Sequence, residues 1–129
     1  MLAITPIYAA LVGFIFLALS VNVVRARIKH RVSVGDGGEK LVIKAMRAQA
    51  NCAEYAPITL LLIAMAELQG GPAWLIHLLG ALILIGRAIH AYGFGITPQI
   101  VPLRKNGMYL TFAVLFVGSL TNLILAFCS

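Results

Sequence analysis

The chain has 129 residues, the size of one domain, and is 61% hydrophobic with only 11% charged residues. A water-soluble domain is about 45–50% apolar and about 25% charged, so the composition excludes an ordinary soluble protein. The net charge of +6 does not point to a nucleic-acid partner. Arg25, Arg27, Lys29, Arg31, Lys40, Lys44 and Arg47 crowd one connection, and Arg104 and Lys105 another. That clustering marks loops retained on the cytoplasmic side of a membrane, and no basic–aromatic surface accompanies it.

The first element is a span over about residues 3–25, with no charge before Arg25. Thr5-Pro6 reads as a helix start and Arg25 as its end at the headgroups. At ~1.5 Å per residue the run crosses a hydrocarbon core about 30 Å thick. Met1 to Tyr8 has neither a basic leader nor a small-residue cleavage site, so an uncleaved span is expected. The connection that follows is basic and glycine-rich, with Asp36-Gly37-Gly38 as turn chemistry. Within it, Lys29, His30 and Arg31 read as a solvated or headgroup-binding run.

The second span covers about residues 41–68, polar in its first half and apolar in its second, with Pro57 inside. Gln69-Gly70-Gly71-Pro72 is a tight turn. The third span, about 73–95, opens near Trp74, an interfacial residue type, and is interrupted by Arg87 and His90. After a connection rich in proline and glycine, the fourth span covers about 107–127 without a charge. The fold class is therefore all-α: an integral membrane four-helix bundle of up-down topology. Loops one and three are expected on the cytoplasmic side and both termini on the other. Cys52 and Cys128 have no pairing or metal-ligand spacing, and no metal site is expected.

The stretch Arg47-Ala-Gln-Ala-Asn51-Cys-Ala-Glu54-Tyr55-Ala-Pro57 departs most from a lipid-facing helix. An ionised side chain at the centre of a span costs roughly 2.5–3.5 kcal/mol on the mildest scale. Arg47, Asn51, Glu54 and Tyr55 share one helical face, while Gln49 points nearly the opposite way. If neither side faces lipid, this helix needs protein on several sides. Arg87 and His90 follow one another on a face of the third helix. Topology then puts Arg25, Arg47, Asn51, Glu54, Arg87, His90 and Arg104 in the same leaflet. Several arginines favour a carboxylate or phosphate ligand, and Glu54 could take an amine. A small zwitterionic peptide fits. An anionic lipid headgroup fits the arginines but leaves Glu54 without a role. The structural alternative is an ion-pair network that merely ties helices two and three together.

At these residues the chain resembles the superfamily of membrane-associated proteins in eicosanoid and glutathione metabolism (MAPEG). The second-helix stretch is similar to the motif of the cysteinyl-leukotriene synthase branch. Gly86-Arg87-Ala-Ile-His90-Ala-Tyr-Gly-Phe94 resembles the third helix of microsomal prostaglandin E synthase. Val23-Val-Arg25-Ala-Arg27 and Pro102-Leu-Arg104 match further basic positions, and the resemblance covers nearly the whole chain, most like short bacterial members.

The resemblance implies a homotrimer in a bacterial inner membrane, with periplasmic termini. Glutathione, the co-substrate, would lie between subunits in the cytoplasmic leaflet. Arg47, Asn51, Glu54, Tyr55 and Arg87 would hold it from one subunit, with His90 on the same wall. Arg25, Gln49 and Arg104 would approach from the neighbour. Arg104 is the implied catalytic residue, favouring the thiolate of a thiol whose pKa is otherwise about 8.5. The thiolate would attack a hydrophobic electrophile or lipid hydroperoxide, as a glutathione transferase or peroxidase. The alternative is a non-catalytic lipid- or glutathione-binding member. The family often has tyrosine at the positions of His90 and Phe94, and Phe94 supplies no hydroxyl.

Overall fold

The computed structural model describes residues 1–128 as four helices: α1 (Thr5–His30), α2 (Lys40–Leu68), α3 (Ala73–Gly95) and α4 (Val101–Cys128). All four are long and apolar enough to cross a membrane. No strand occurs among the described residues.

Two helices overrun their apolar spans, both at the end where the basic connections lie. α1 continues five residues beyond Arg25, because leaving the hydrocarbon does not end a helix. Its last turn carries Arg27, Lys29 and His30, which suit the negative end of the helix dipole. Arg27 Nε also donates to the carbonyl of Gly35 at 2.9 Å, folding the connection back on the helix. The helix stops at Arg31 in a left-handed conformation, φ 57°. α4 begins at Val101, so Arg104 lies inside the helix rather than before it. Pro102 is tolerated there because the first-turn N–H groups have no helical partner in any case.

The opposite end is tied by a carboxylate. Glu67, near the end of α2, accepts from the backbone N–H groups of Ala3, Ile4 and Thr5 at 2.6, 2.7 and 2.8 Å. The Thr5 hydroxyl donates to it at 2.6 Å. α1 has no cap from its own sequence, so a distant acid satisfies its orphan N–H groups. Beside this cap, the Tyr8 hydroxyl and His77 Nδ1 lie 3.0 Å apart.

α2 and α3 form the centre of the bundle. Each packs against both outer helices, whereas α1 and α4 do not touch. One apolar cluster (Ile63, Ala66, Ile76, Leu79, Ile83 and Val114) joins α2, α3 and α4. Another (Val12, Leu19, Ala48, Cys52 and Ala56) joins α1 to α2. The α3–α4 seam is the tightest, through glycine. A Cβ on Gly107 would lie 2.6 Å from the Gly86 carbonyl oxygen and 2.6 Å from His90 Cβ. A Cβ on Gly93 would lie 2.7 Å from Leu103 Cβ. Small residues at such seams let membrane helices gain van der Waals contact where lipid offers no hydrophobic drive.

Two substitutions test these ties. Glu67→Ala is expected to cost about 1–2 kcal/mol, the range for losing a helix cap. It should lower the melting temperature in detergent and speed amide exchange at Ala3 to Thr5; unchanged exchange would show that the cap does not hold. Gly107→Ala should destabilise by about 1–3 kcal/mol through overpacking. Gly13→Ala, whose added methyl meets nothing within 4 Å, should not.

Candidate functional site

Arg87 defines the site. It is the largest fully buried side chain, 1% exposed, on a helix otherwise almost entirely apolar. Its Nη1 donates to Asn51 Oδ1 at 2.6 Å and lies 3.5 Å from the Asn51 carbonyl oxygen. Nη2 points at the Met108 thioether, 3.4 Å away. Nε is buried and has no partner among the described residues. All these acceptors are neutral and thioether sulfur is a weak one. A buried cation is ordinarily paired, yet neither ion pair among the described residues includes Arg87.

Each element supplies this arrangement for a local reason. Gly86 lets α4 approach α3, which brings Met108 onto the guanidinium. Asn51 reaches Arg87 because it lies on the face of α2 turned to α3 and α4. Tyr55, one turn further, packs edge-on against Phe112, with centroids 5.7 Å apart. Arg47 and Glu54 lie on the outer flank of the same helix. Their charged atoms are 3.6 Å apart and their side chains 57% and 53% exposed. Within one chain that pair would meet hydrocarbon, where ions are costly.

A second group lies along the α3–α4 seam. His90 is buried and stacks on Phe94, with ring centroids 5.7 Å apart and planes 25° from parallel. The Arg104 guanidinium lies over the other aromatic, 4.2 Å from the Phe94 centroid, and donates to Gln99 Oε1 at 3.1 Å. Phe94 supplies no hydroxyl, but it gives Arg104 a face to rest on.

The structure therefore joins Asn51 to Arg87, Arg47 to Glu54, and His90 through Phe94 to Arg104. It does not bring Gln49 or Arg25 to them within one chain. Gln49 Nε2 donates to Ser20 Oγ on α1 at 3.0 Å. Arg25 lines a separate cleft with Lys29, Lys44 and Thr97. Polar groups thus occupy two sides of α2. Residue pattern alone missed Met108 and Phe112, ordinary apolar residues of the fourth span whose role depends on the α3–α4 seam. It also missed Lys44, whose ammonium donates to the Ile96 carbonyl and, at 3.1 Å, to the Thr97 hydroxyl. No cluster able to hold a metal ion occurs among the described residues.

Four membrane-length helices with a buried guanidinium in their midst define a polytopic membrane protein with an intramembrane polar site. The chain belongs to the MAPEG family, whose model matches residues 5–124. It is 35% identical over 120 residues to the inner membrane protein YecN of Escherichia coli strain K12, covering 93% of this chain and 90% of that one. The YecN protein of Escherichia coli O6:H1 matches with the same identity and coverage.

The Arg87–Asn51 contact predicts an ordering. Asn51→Leu strands the guanidinium and should destabilise by about 1.5–3 kcal/mol, the range for hydrogen bonds to charged groups. Arg87→Met removes the charge itself and should cost less, because uncharged replacements of buried ions are tolerated better than broken pairs. Denaturation of both variants in detergent checks this, and the reverse order would contradict it.

Proposed function

We propose that the protein binds glutathione between the subunits of a homotrimer in the bacterial inner membrane. Glutathione serves there as co-substrate of a transferase or peroxidase reaction on a hydrophobic electrophile. The observation that carries this reading is Arg87, a buried guanidinium with an unpartnered Nε and no ion pair among the described residues. A carboxylate admitted next to Asn51 would be the missing anion. Family membership supports a shared ligand chemistry. The location follows that of the Escherichia coli relatives, which are named inner membrane proteins.

In this reading Arg47, Asn51, Glu54, Tyr55 and Arg87 hold the tripeptide from one subunit, with His90 behind them. Glu54 takes the ligand's ammonium, and Arg47 and Arg87 its carboxylates. Arg25, Gln49 and Arg104 come from the neighbour. A neighbouring subunit would also cover the half-exposed Arg47–Glu54 pair, which one chain leaves to lipid. Arg104 lowers the energy of the thiolate by proximity of its fixed positive charge. The thiol proton leaves to solvent, the thiolate forms the new bond to the electrophile, and the leaving group departs with its electron pair. The basic connections face the cytoplasm, where glutathione enters, and the electrophile arrives from the lipid.

Thermal melting with and without glutathione is the first test. A stabilised protein is expected, by an amount that rises with glutathione concentration. Conjugation of a reactive aryl halide is the second. Arg104→Ala should keep the thermal protection and lose turnover by about tenfold or more, the scale of the lost thiolate fraction. Protection without turnover in the unaltered protein would assign a non-catalytic binding role. Absence of both would remove the reading.

A further inference from the structure

The loop end of the bundle holds a second cationic recess that shares no residue with the Asn51–Arg87 pair. The last turns of α1, the first turn of α2 and the end of α3 enclose a cleft of about 210 Å³. Arg25, Lys29, His30, Lys44 and Thr97 line it, and no carboxylate does. Arg25 and Lys29 are like charges one helical turn apart, and neither joins an ion pair among the described residues. Lys44 is bonded only to the neutral oxygens of Ile96 and Thr97, so its charge also stands uncompensated. Glu39 reaches His30 at 3.7 Å but is not part of the lining. Three fixed cations facing one concavity attract an anion with several oxygens, by bidentate contact from Arg and point-charge contact from Lys.

The cleft also has a floor that a soluble anion would not use. Asn22 and Gly95 are shared with an apolar groove of about 400 Å³ between α1 and α3. The groove runs from Asn22 past Leu19 and Ala18 to Ile15 on α1, roughly 10 Å of helix. Ala88 and Ala91 on α3 form its other wall. The charges lie at the loop end of the bundle, and an apolar slot extends from them along the helices.

We propose that this recess binds an anionic phospholipid, with its phosphate in the Arg25–Lys29–Lys44 cleft and one acyl chain along the α1–α3 groove. A basic loop on its own attracts anionic lipid through a diffuse surface field. The groove joined to the cleft turns that field into a site for one molecule. Arg25 is shared with the residues assigned to glutathione, whereas Lys29, Lys44 and Thr97 lie outside them, so substitutions at those three positions test the lipid site separately from that assignment.

The test is thermal melting in nanodiscs of phosphatidylcholine, alone or with phosphatidylglycerol. Phosphatidylglycerol is expected to raise the melting temperature of the unaltered protein by several degrees. Lys29→Glu should lose most of that rise. Lys40→Glu should keep it, because Lys40 is exposed at the start of α2, beside the same connection, but does not line the cleft. Ala18→Phe, which fills the groove and alters no charge, should lose it as well. Four results would each overturn the proposal: no rise with phosphatidylglycerol, equal losses in Lys29→Glu and Lys40→Glu, a full rise in Ala18→Phe, or the same rise from inorganic phosphate in phosphatidylcholine discs.

Discussion

A guanidinium buried among apolar helices constrains everything near it. Arg87 is 1% exposed and has five N–H donors to satisfy. The chain offers it one asparagine side chain, one backbone carbonyl at the limit of hydrogen bonding and one thioether. None carries a negative charge. Cations inside membranes are tolerated when they are paired or functional, and among the described residues Arg87 joins no ion pair. The proposal of a glutathione site rests on that imbalance.

The α3–α4 seam makes the arrangement possible. Gly86, Gly93 and Gly107 let two backbones approach until an added methyl on any of them would crowd the opposite helix. That closeness brings Met108 to Arg87 and sets Arg104 over the Phe94 ring. Away from the seam, α1 is held by its apolar cluster with α2 and by two polar ties, the Glu67 carboxylate at one end and the Gln49–Ser20 hydrogen bond further along. The polar ties add what apolar contact supplies weakly where lipid competes for apolar surface. The Arg47–Glu54 pair is left half exposed on the outer flank of α2. A subunit interface on that flank would serve both the pair and the ligand.

Much of this was legible in the residues. Uncharged runs and two basic connections indicated four membrane-length helices, because charge is excluded from hydrocarbon so strongly. The helix ends were less legible. Apolar runs mark where a chain leaves lipid, whereas α1 continues to His30 and α4 starts at Val101 on hydrogen bonds and dipole terms that hydropathy ignores. Helical spacing placed Arg47, Asn51, Glu54 and Tyr55 on one face. The structure divides that face, with Asn51 and Tyr55 turned to α3 and α4 and Arg47 and Glu54 on the outer flank. The Asn51–Arg87 contact required only that α2 and α3 be adjacent. Met108, Phe112 and the Glu67 cap were not legible. They depend on which residues of distant helices meet at one depth, and neither a methionine in an apolar run nor an acid beside a turn signals that by type.

The central claim is that Arg87 awaits an anion from outside its own chain. The most direct measurement is the nitrogen NMR signal of its Nε–H in protein carrying ¹⁵N-labelled arginine, assigned by its loss in Arg87→Met. With glutathione added, that signal is expected to move downfield, as a donor does on meeting a carboxylate. A signal that stays in place while glutathione saturates the protein would show that Arg87 is a self-contained helix tie, and the account of the site would be wrong.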